Sequence, residues 1–506
     1  MWIRTLLAAV ALLPVTTSAA AASAADTGKL LILHTNDCHG QCGTRKATWV
    51  KRADPPMVGG VGRAAAVVRD ERAARGAELL VLDGGDWYAG TPEGAIDAGL
   101  EYLKLLSMIG YDAMCVGNHD FDHGIPNLQI LLREARLPAI AANLYERGSD
   151  ARVSFVAPWK IVERGGLRIA LVGIVTTVTP EISHPDTRTI IFMEPAEALR
   201  RARAELAGKV DWVLPVTHQG VDEDRKLAQA HPDLPLIVGG HSHTFLKEGV
   251  REGEVLIVQA GTKLSALGRV EVEWDRSTRR VTAVKASLQD LDAAPAHPIP
   301  EVEAAIAKLV AQSDERMAVV VGTVTAHFGR SKDALTSGAA GNLVADALRE
   351  HTRADVGIMN RGGVRTDLSE GNLTRRDLYE FLPFDNDVTV VKLDGATLHE
   401  LFRRAIEGKS HSGVEVSGVV LSVRRGAEGS TLLGVKVGGE ELDKAKLYRV
   451  AMHSFMADGG DAYIERVPLG PNRVDEPLLL RDLLEMRVKA RGSLTPDGSN
   501  RYEVMP

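Results

Sequence analysis

At 506 residues the chain exceeds what one hydrophobic core can organise, and two or three domains are expected. Its 45% hydrophobic and 25% charged residues are those of a soluble globular protein. A net charge of −7 with no long basic run argues against a nucleic-acid polymer or an anionic membrane as partner, and leaves the oligomeric state open.

The chain begins with the pattern of an export signal. Arg4 supplies a positive start, Leu6 to Val15 is apolar and broken by Pro14, and Ala22-Ser23-Ala24 offers a cleavage site before Ala25-Asp26. Residues 1–25 are therefore expected to be removed, leaving a periplasmic or secreted protein. That apolar run is too short to span a bilayer, and no later stretch reaches spanning length. Three cysteines (Cys38, Cys42, Cys115) are too few to staple the fold; either Cys38 and Cys42 pair, or all three are small buried residues.

From Lys29 to about Trp274 one rule recurs: a short apolar strand, then ligand-type residues at its end. Leu30 to Leu33 runs into His34-Thr35-Asn36-Asp37-Cys38-His39, and a helix follows Gly59 to Gly62. Leu79 to Leu82 runs into Asp83-Gly84-Gly85-Asp86, and Tyr111 to Val116 into Gly117-Asn118-His119-Asp120-Phe121-Asp122. Leu167 to Ile174 is a further strand. Trp212 to Val216 leads to His218, and Leu236 to Val238 to Gly239-Gly240-His241-Ser242-His243. Val270 to Trp274 and Val281 to Leu288 alternate as peripheral antiparallel strands should. Asp292 to Pro300, rich in Ala and Pro, reads as a boundary, and Glu301 to Met317 has helical spacing. A second α/β region follows, with a helix at Gly341 to Leu348 and strands at Val356 to Met359, Val388 to Leu393 and Tyr448 to Met452.

The strand ends of the first region collect Asp37, His39, Asp86, Asn118, His119, His218, His241 and His243. Carboxylates, imidazoles and an amide oxygen without a thiolate cluster suit two divalent metal ions such as Zn²⁺ or Mn²⁺. A central carboxylate, Asp86, can bridge the pair, and cations about 3.5–4 Å apart can hold the attacking and leaving oxygens of a displacement at phosphorus.

These motifs resemble the calcineurin-type metallophosphoesterases over roughly residues 29–275. With the second half included, the chain resembles the 5′-nucleotidase family of secreted, periplasmic and ectoenzymes. The resemblance implies an α/β (in part α+β) protein: residues 26–295 a metallophosphoesterase β-sandwich flanked by helices, 296–318 a connecting helix, and 319–506 a smaller α/β domain that binds substrate. It implies that Asp37, His39, Asp86 and His243 hold one cation, and Asp86, Asn118, His218 and His241 the other. His119 then corresponds to an uncoordinated catalytic histidine, with Asp122 as its partner. Asn360-Arg361-Gly362-Gly363-Val364-Arg365 resembles the family's substrate loop. It implies substrate-binding roles for Asn360 and Arg365, for Phe384 and Phe455 clamping a nucleobase, and for Asp461 at the ribose hydroxyls. An Arg that the family carries before its Gly-Asn-Leu helix is replaced here by Asp333-Ala334-Leu335-Thr336-Ser337-Gly338, with Arg330 and Lys332 only nearby.

The expected activity is release of phosphate from nucleotides by a metal-activated water. Two alternatives stand beside it: the same chemistry on 2′,3′-cyclic nucleotides, nucleotide-sugars or a sulfur ester, and a non-catalytic nucleotide- or metal-binding protein.

Overall fold

The computed structural model describes residues 26–47, 55–408, 413–426, 429–468 and 470–505. The export signal expected at residues 1–25 lies outside the described residues. Within them, no helix is long and apolar enough to cross a membrane.

The apolar strands of the first half are buried on both faces because they form two stacked six-stranded sheets, each covered by helices. The first sheet runs Val281–Asp290, Ala266–Asp275, Thr27–Thr35, Leu79–Asp83, Ala113–Cys115, Ala139–Ile140. The second runs Val250–Glu252, Val255–Val258, Leu236–Val238, Trp212–His218, Leu167–Val175, Trp159–Arg164. The period of two along each strand sorts side chains between layers. Leu30, Ile32, Leu80 and Leu82 meet Ile169, Leu171, Leu214 and Val216 between the sheets. Leu31, Leu33 and Val81 instead face the helices Val61–Arg75 and Leu100–Ser107, and Ala170 and Val172 face Pro195–Leu206 and Val221–Ala230.

The strands at the centre of both sheets are parallel. Leu31 pairs with Leu79, Leu82 with Ala113, Trp212 with Ile169 and Val216 with Val238. Their C-terminal ends therefore emerge along one rim. The segment expected as a strand from Tyr111 is shorter, Ala113–Cys115, because the Asp112 carboxylate takes the Val81 N–H at 2.9 Å. Val281–Asp290 is an edge strand, antiparallel to Ala266–Asp275 as expected. The three cysteines are unpaired and buried.

The helix Pro300–Met317 leads to the second half. There a five-stranded sheet runs Val414–Ser417, Val356–Asn360, Leu447–His453, Asp387–Asp394, Arg473–Leu479, flanked by the helices Ala339–Thr352 and Gly395–Glu407.

One ion-pair network ties three parts of the chain together. Arg376, on the helix Arg375–Phe381, donates to Glu93 Oε2 at 2.9 Å and to Asp314 Oδ1 of the connecting helix at 2.9 Å. The Ser313 hydroxyl also donates to Glu93. Burial alone would raise the Glu93 carboxyl, but Arg376 and Ser313 outweigh it and hold it below the usual range. Arg376→Ala should strand this buried carboxylate and cost about 2–3 kcal/mol at the seam, less than a fully buried pair because Arg376 reaches solvent. That corresponds to roughly 30- to 150-fold more frequent opening, read as faster proteolysis within residues 300–317; unchanged cleavage would mean the network holds nothing. Since the folded value of Glu93 is depressed, its contribution is complete above the ordinary glutamate range and is lost as pH falls through the folded value. The mutational difference should shrink on acidification in that window.

Candidate active site

Five parallel strands end at the common rim and supply the site. Thr27–Thr35 delivers Asp37 and His39, Leu79–Asp83 delivers Asp86, and Ala113–Cys115 delivers Asn118, His119 and Asp122. Trp212–His218 ends on His218 itself, and Leu236–Val238 delivers His241 and His243. Residues from both ends of the first half thus meet in space. Asp37, His39 and His243 form one group and Asp86, His218 and His241 another, each with its ligand-type atoms within 4.8 Å of one another.

Unusual backbone makes this convergence possible. Asp37, His39, Asp86, His241 and His243 all have φ between 46° and 80°, the left-handed region that side chains ordinarily avoid. Such strain persists only where the surroundings over-determine it. Asp37 N–H donates to Gly85 O at 2.8 Å, His39 N–H to Asp86 O at 3.1 Å and His241 N–H to the Asp37 carboxylate at 2.9 Å. The buried Asp120 carboxylate accepts from Gly117 N–H at 2.7 Å, Trp87 N–H at 2.9 Å and Asp86 N–H at 3.2 Å, joining two loops. Gly117 is required where it stands: a Cβ there would lie 2.2 Å from Asp86 Oδ1.

The donor set fits divalent cations on the structure's own terms. His39 Nδ1 bonds the Ala89 carbonyl at 2.7 Å and His218 Nδ1 bonds the Gly84 carbonyl at 2.6 Å, so each ring turns its Nε2 inward. His39 Nε2 then faces His243 Nε2 at 3.0 Å, and His243 Nε2 lies 3.2 Å from Asp37 Oδ1. His218 Nε2 sits 3.1 Å from Asp86 Oδ2, which is also 3.9 Å from His39 Nε2. Asp86 is thus the carboxylate within reach of both groups. Asp37 Oδ1, Asn118 Oδ1 and His218 Nε2 are buried without a hydrogen-bond partner, the condition of atoms that wait for a cation. Burial keeps His39 and His241 neutral, His241 down to about 4, which is the form that ligates. Burial would raise Asp37, but His243 beside it brings the carboxyl to about 2. Burial opposes a charge on His218 too, yet Asp86 pushes it up to about 10, so a cation there would compete with a proton.

His119 stands apart from both groups. Its Nδ1 meets Asp122 Oδ2 at 2.9 Å, and against burial Asp122 and Asp86 raise its pKa above the ordinary value. Its ring stacks on Phe384 from the second half, centroids 5.4 Å apart and planes at 15°. The Arg365 guanidinium lies 5.8 Å from the centre of that same Phe384 ring.

All five residues expected to bind substrate (Asn360, Arg365, Phe384, Phe455, Asp461) line one cleft of about 1020 Å³, together with Asp86, Asn118, His119, Asp122, His241 and His243. Arg365 and Arg481 are the arginines of its wall. Arg330, near the position where the sequence departs from the family pattern, is committed to Asp367, with its N–H at 2.9 Å and its Nε at 3.2 Å. Sequence reasoning missed Asp120, Arg481 and His453. For His453 a signal existed, a polar residue closing an apolar strand, the same pattern read elsewhere.

Residues 30–245 match the calcineurin-like phosphoesterase family, and residues 320–466 match the 5′-nucleotidase C-terminal domain. The snake venom 5′-nucleotidase of Gloydius brevicauda is 28% identical over 502 residues, covering 88% of this chain and 84% of that protein. The crystal structure of a 5′-nucleotidase precursor from Thermus thermophilus superposes with a TM-score of 0.84 at 28% identity, over 94% of this chain and 99% of that one. A sulfate thiohydrolase, SoxB, also of Thermus thermophilus, shares the fold at a TM-score of 0.79 and 19% identity, covering 94% of this chain and 97% of that one.

Proposed function

Because the chain belongs to the 5′-nucleotidase family, with a calcineurin-like phosphoesterase region followed by a 5′-nucleotidase C-terminal domain, we propose that it is an exported hydrolase releasing phosphate from nucleoside 5′-monophosphates. The observation that carries this reading is the cleft in which two groups of inward-facing carboxylates and imidazoles share a wall with Arg365, Phe384, Phe455 and Asp461.

Asp37, His39, Asp86 and His243 would hold one divalent cation, and Asp86, Asn118, His218 and His241 the other, with Zn²⁺ and Mn²⁺ both suited to this nitrogen and oxygen set. When bound, the pair supplies Lewis acidity that acidifies water and screens the phosphate's charge. The protein's own residues do the rest. Asp122 holds His119 so that its free ring edge donates to oxygens gaining charge at phosphorus. Arg365 offers a planar fork to phosphoryl oxygens, and the cleft's aromatic rings offer stacking faces that accept any base. Asp461 accepts from sugar hydroxyls. Periplasmic or secreted placement rests on the N-terminal export pattern, and one relative is named as a venom protein.

Phosphate release should be assayed on nucleoside 5′-monophosphates, a 2′,3′-cyclic nucleotide and a nucleotide-sugar, with and without chelator. Monophosphates should be the best substrates, with activity abolished by chelation and restored by Zn²⁺ or Mn²⁺. Turnover of the diester alone, or nucleotide binding with no product from any of them, would overturn the reading.

A further inference from the structure

His453 closes the strand Leu447–His453 beside the parallel strand Val356–Asn360, and its side chain is fully buried. Its Nε2 lies 2.7 Å from Asn360 Oδ1, and the Asn360 amide nitrogen in turn donates to Asp461 Oδ2 at 2.7 Å. The direction of this chain is fixed by chemistry. An ionised carboxylate only accepts, so the amide must turn its NH₂ to Asp461 and its oxygen to His453. His453 therefore carries its proton on Nε2, and its Nδ1 is left bare and without a partner. Burial keeps the ring neutral, its pKa down to about 3, so this tautomer holds throughout the neutral range.

Without a donor at His453, the Asn360 oxygen loses its buried partner and the amide is held only through its bond to Asp461, so the pair can shift together. Asp461 itself sits at φ 57°, in the turn that carries it into the cleft. The His453 ring also stacks on Phe455, centroids 6.0 Å apart and planes at 15°, so one histidine braces the acid and an aromatic of the same cleft.

We propose that His453 is a positioning residue for sugar recognition: through Asn360 it aims the Asp461 carboxylate at the vicinal hydroxyls of a ribonucleotide, and so sets a preference for ribose over 2′-deoxyribose. This rests on the nucleotide reading above.

The test is steady-state kinetics on adenosine 5′-monophosphate and its 2′-deoxy counterpart. His453→Phe keeps ring shape and stacking but removes the donor. It should raise KM for the ribonucleotide about tenfold, the scale of one lost hydrogen bond, with kcat and the KM for the deoxynucleotide changed less than about twofold. His453→Gln, whose amide nitrogen can reach the place of Nε2, should restore the ribo-to-deoxy ratio of KM. Should the Phe variant not fold by circular dichroism, His453→Asn, with its donor one bond short, takes its place against Gln. An unchanged ratio in the donor-less variant, or an equal loss on both substrates, would overturn the proposal. Failure of the nucleotide reading itself would show separately, as no phosphate release from either substrate by the unaltered protein.

Discussion

His119→Ala should lower kcat by roughly 10²- to 10⁴-fold, the range for a positioned proton donor or charge-stabilising group, while the metal content of the protein stays at its unaltered value. The reason is geometric. His119 belongs to neither group of clustered carboxylates and imidazoles, its Nδ1 is occupied by Asp122 at 2.9 Å, and its ring stacks on Phe384 with only an edge contact to the His39 ring, centroids 5.5 Å apart. Its backbone N–H does touch the cluster, donating to Asp86 Oδ1 at 2.8 Å, but alanine keeps that bond. Substrate affinity should fall less than kcat, because the contribution is made to charge that develops during the reaction. Asp122→Asn should show the same pattern, since the amide can keep the ring in place but no longer favours its charged state or fixes the proton on Nδ1. Quantifying bound metal by mass spectrometry alongside kcat separates the roles. Loss of a metal equivalent together with activity would make His119 a ligand and remove the basis for assigning it a separate task.

Much of the candidate site was legible because it lies at the ends of apolar strands, where a change from Leu, Val and Ile to Asp, Asn and His is visible in one dimension. Leu79 to Leu82 before Asp86, and Leu236 to Val238 before His241, are readable without coordinates. What stacks two sheets so that these ends meet is not local. The pairing of Thr27–Thr35 with both Leu79–Asp83 and the distant Ala266–Asp275 is decided by packing between layers. Left-handed backbone at Asp37, Asp86 and His241 was equally invisible, since no glycine marks those positions. Asp120 was hidden by its neighbours: in a motif rich in polar residues, nothing local separates the carboxylate that accepts three backbone N–H groups from the one that holds a histidine. The Glu93–Arg376 pair, 283 residues apart, has no sequence signature at all. Burial and charge are properties of the assembled surface there.

Asp86→Asn should be the most damaging single substitution in the molecule. Its carboxylate reaches His218 Nε2 at 3.1 Å and His39 Nε2 at 3.9 Å, so it serves both groups. Asparagine preserves the volume and can keep an acceptor for the His119 N–H, which isolates the loss of charge from any loss of shape. With one fewer negative charge between them, two cations would repel each other with less to screen them, and the bound complement should fall from two to one or none. Turnover should then drop by about 10⁴-fold or more, because water activation and charge neutralisation fail together. A second readout needs no activity. Saturating metal stabilises a folded protein by RT ln(1 + [L]/Kd), about 2.7 kcal/mol per site at a hundredfold excess over Kd. The thermal midpoint of the unaltered protein should therefore rise on adding Zn²⁺ or Mn²⁺, and that rise should largely vanish in Asp86→Asn. Without metal the variant should itself be less stable, since asparagine removes the carboxylate that pairs with buried His218 at 3.1 Å, so the readout is the metal-induced rise and not the starting midpoint. A variant that kept two metals and the full thermal shift would place the bridging role elsewhere and dissolve the shared centre on which the proposed hydrolysis depends.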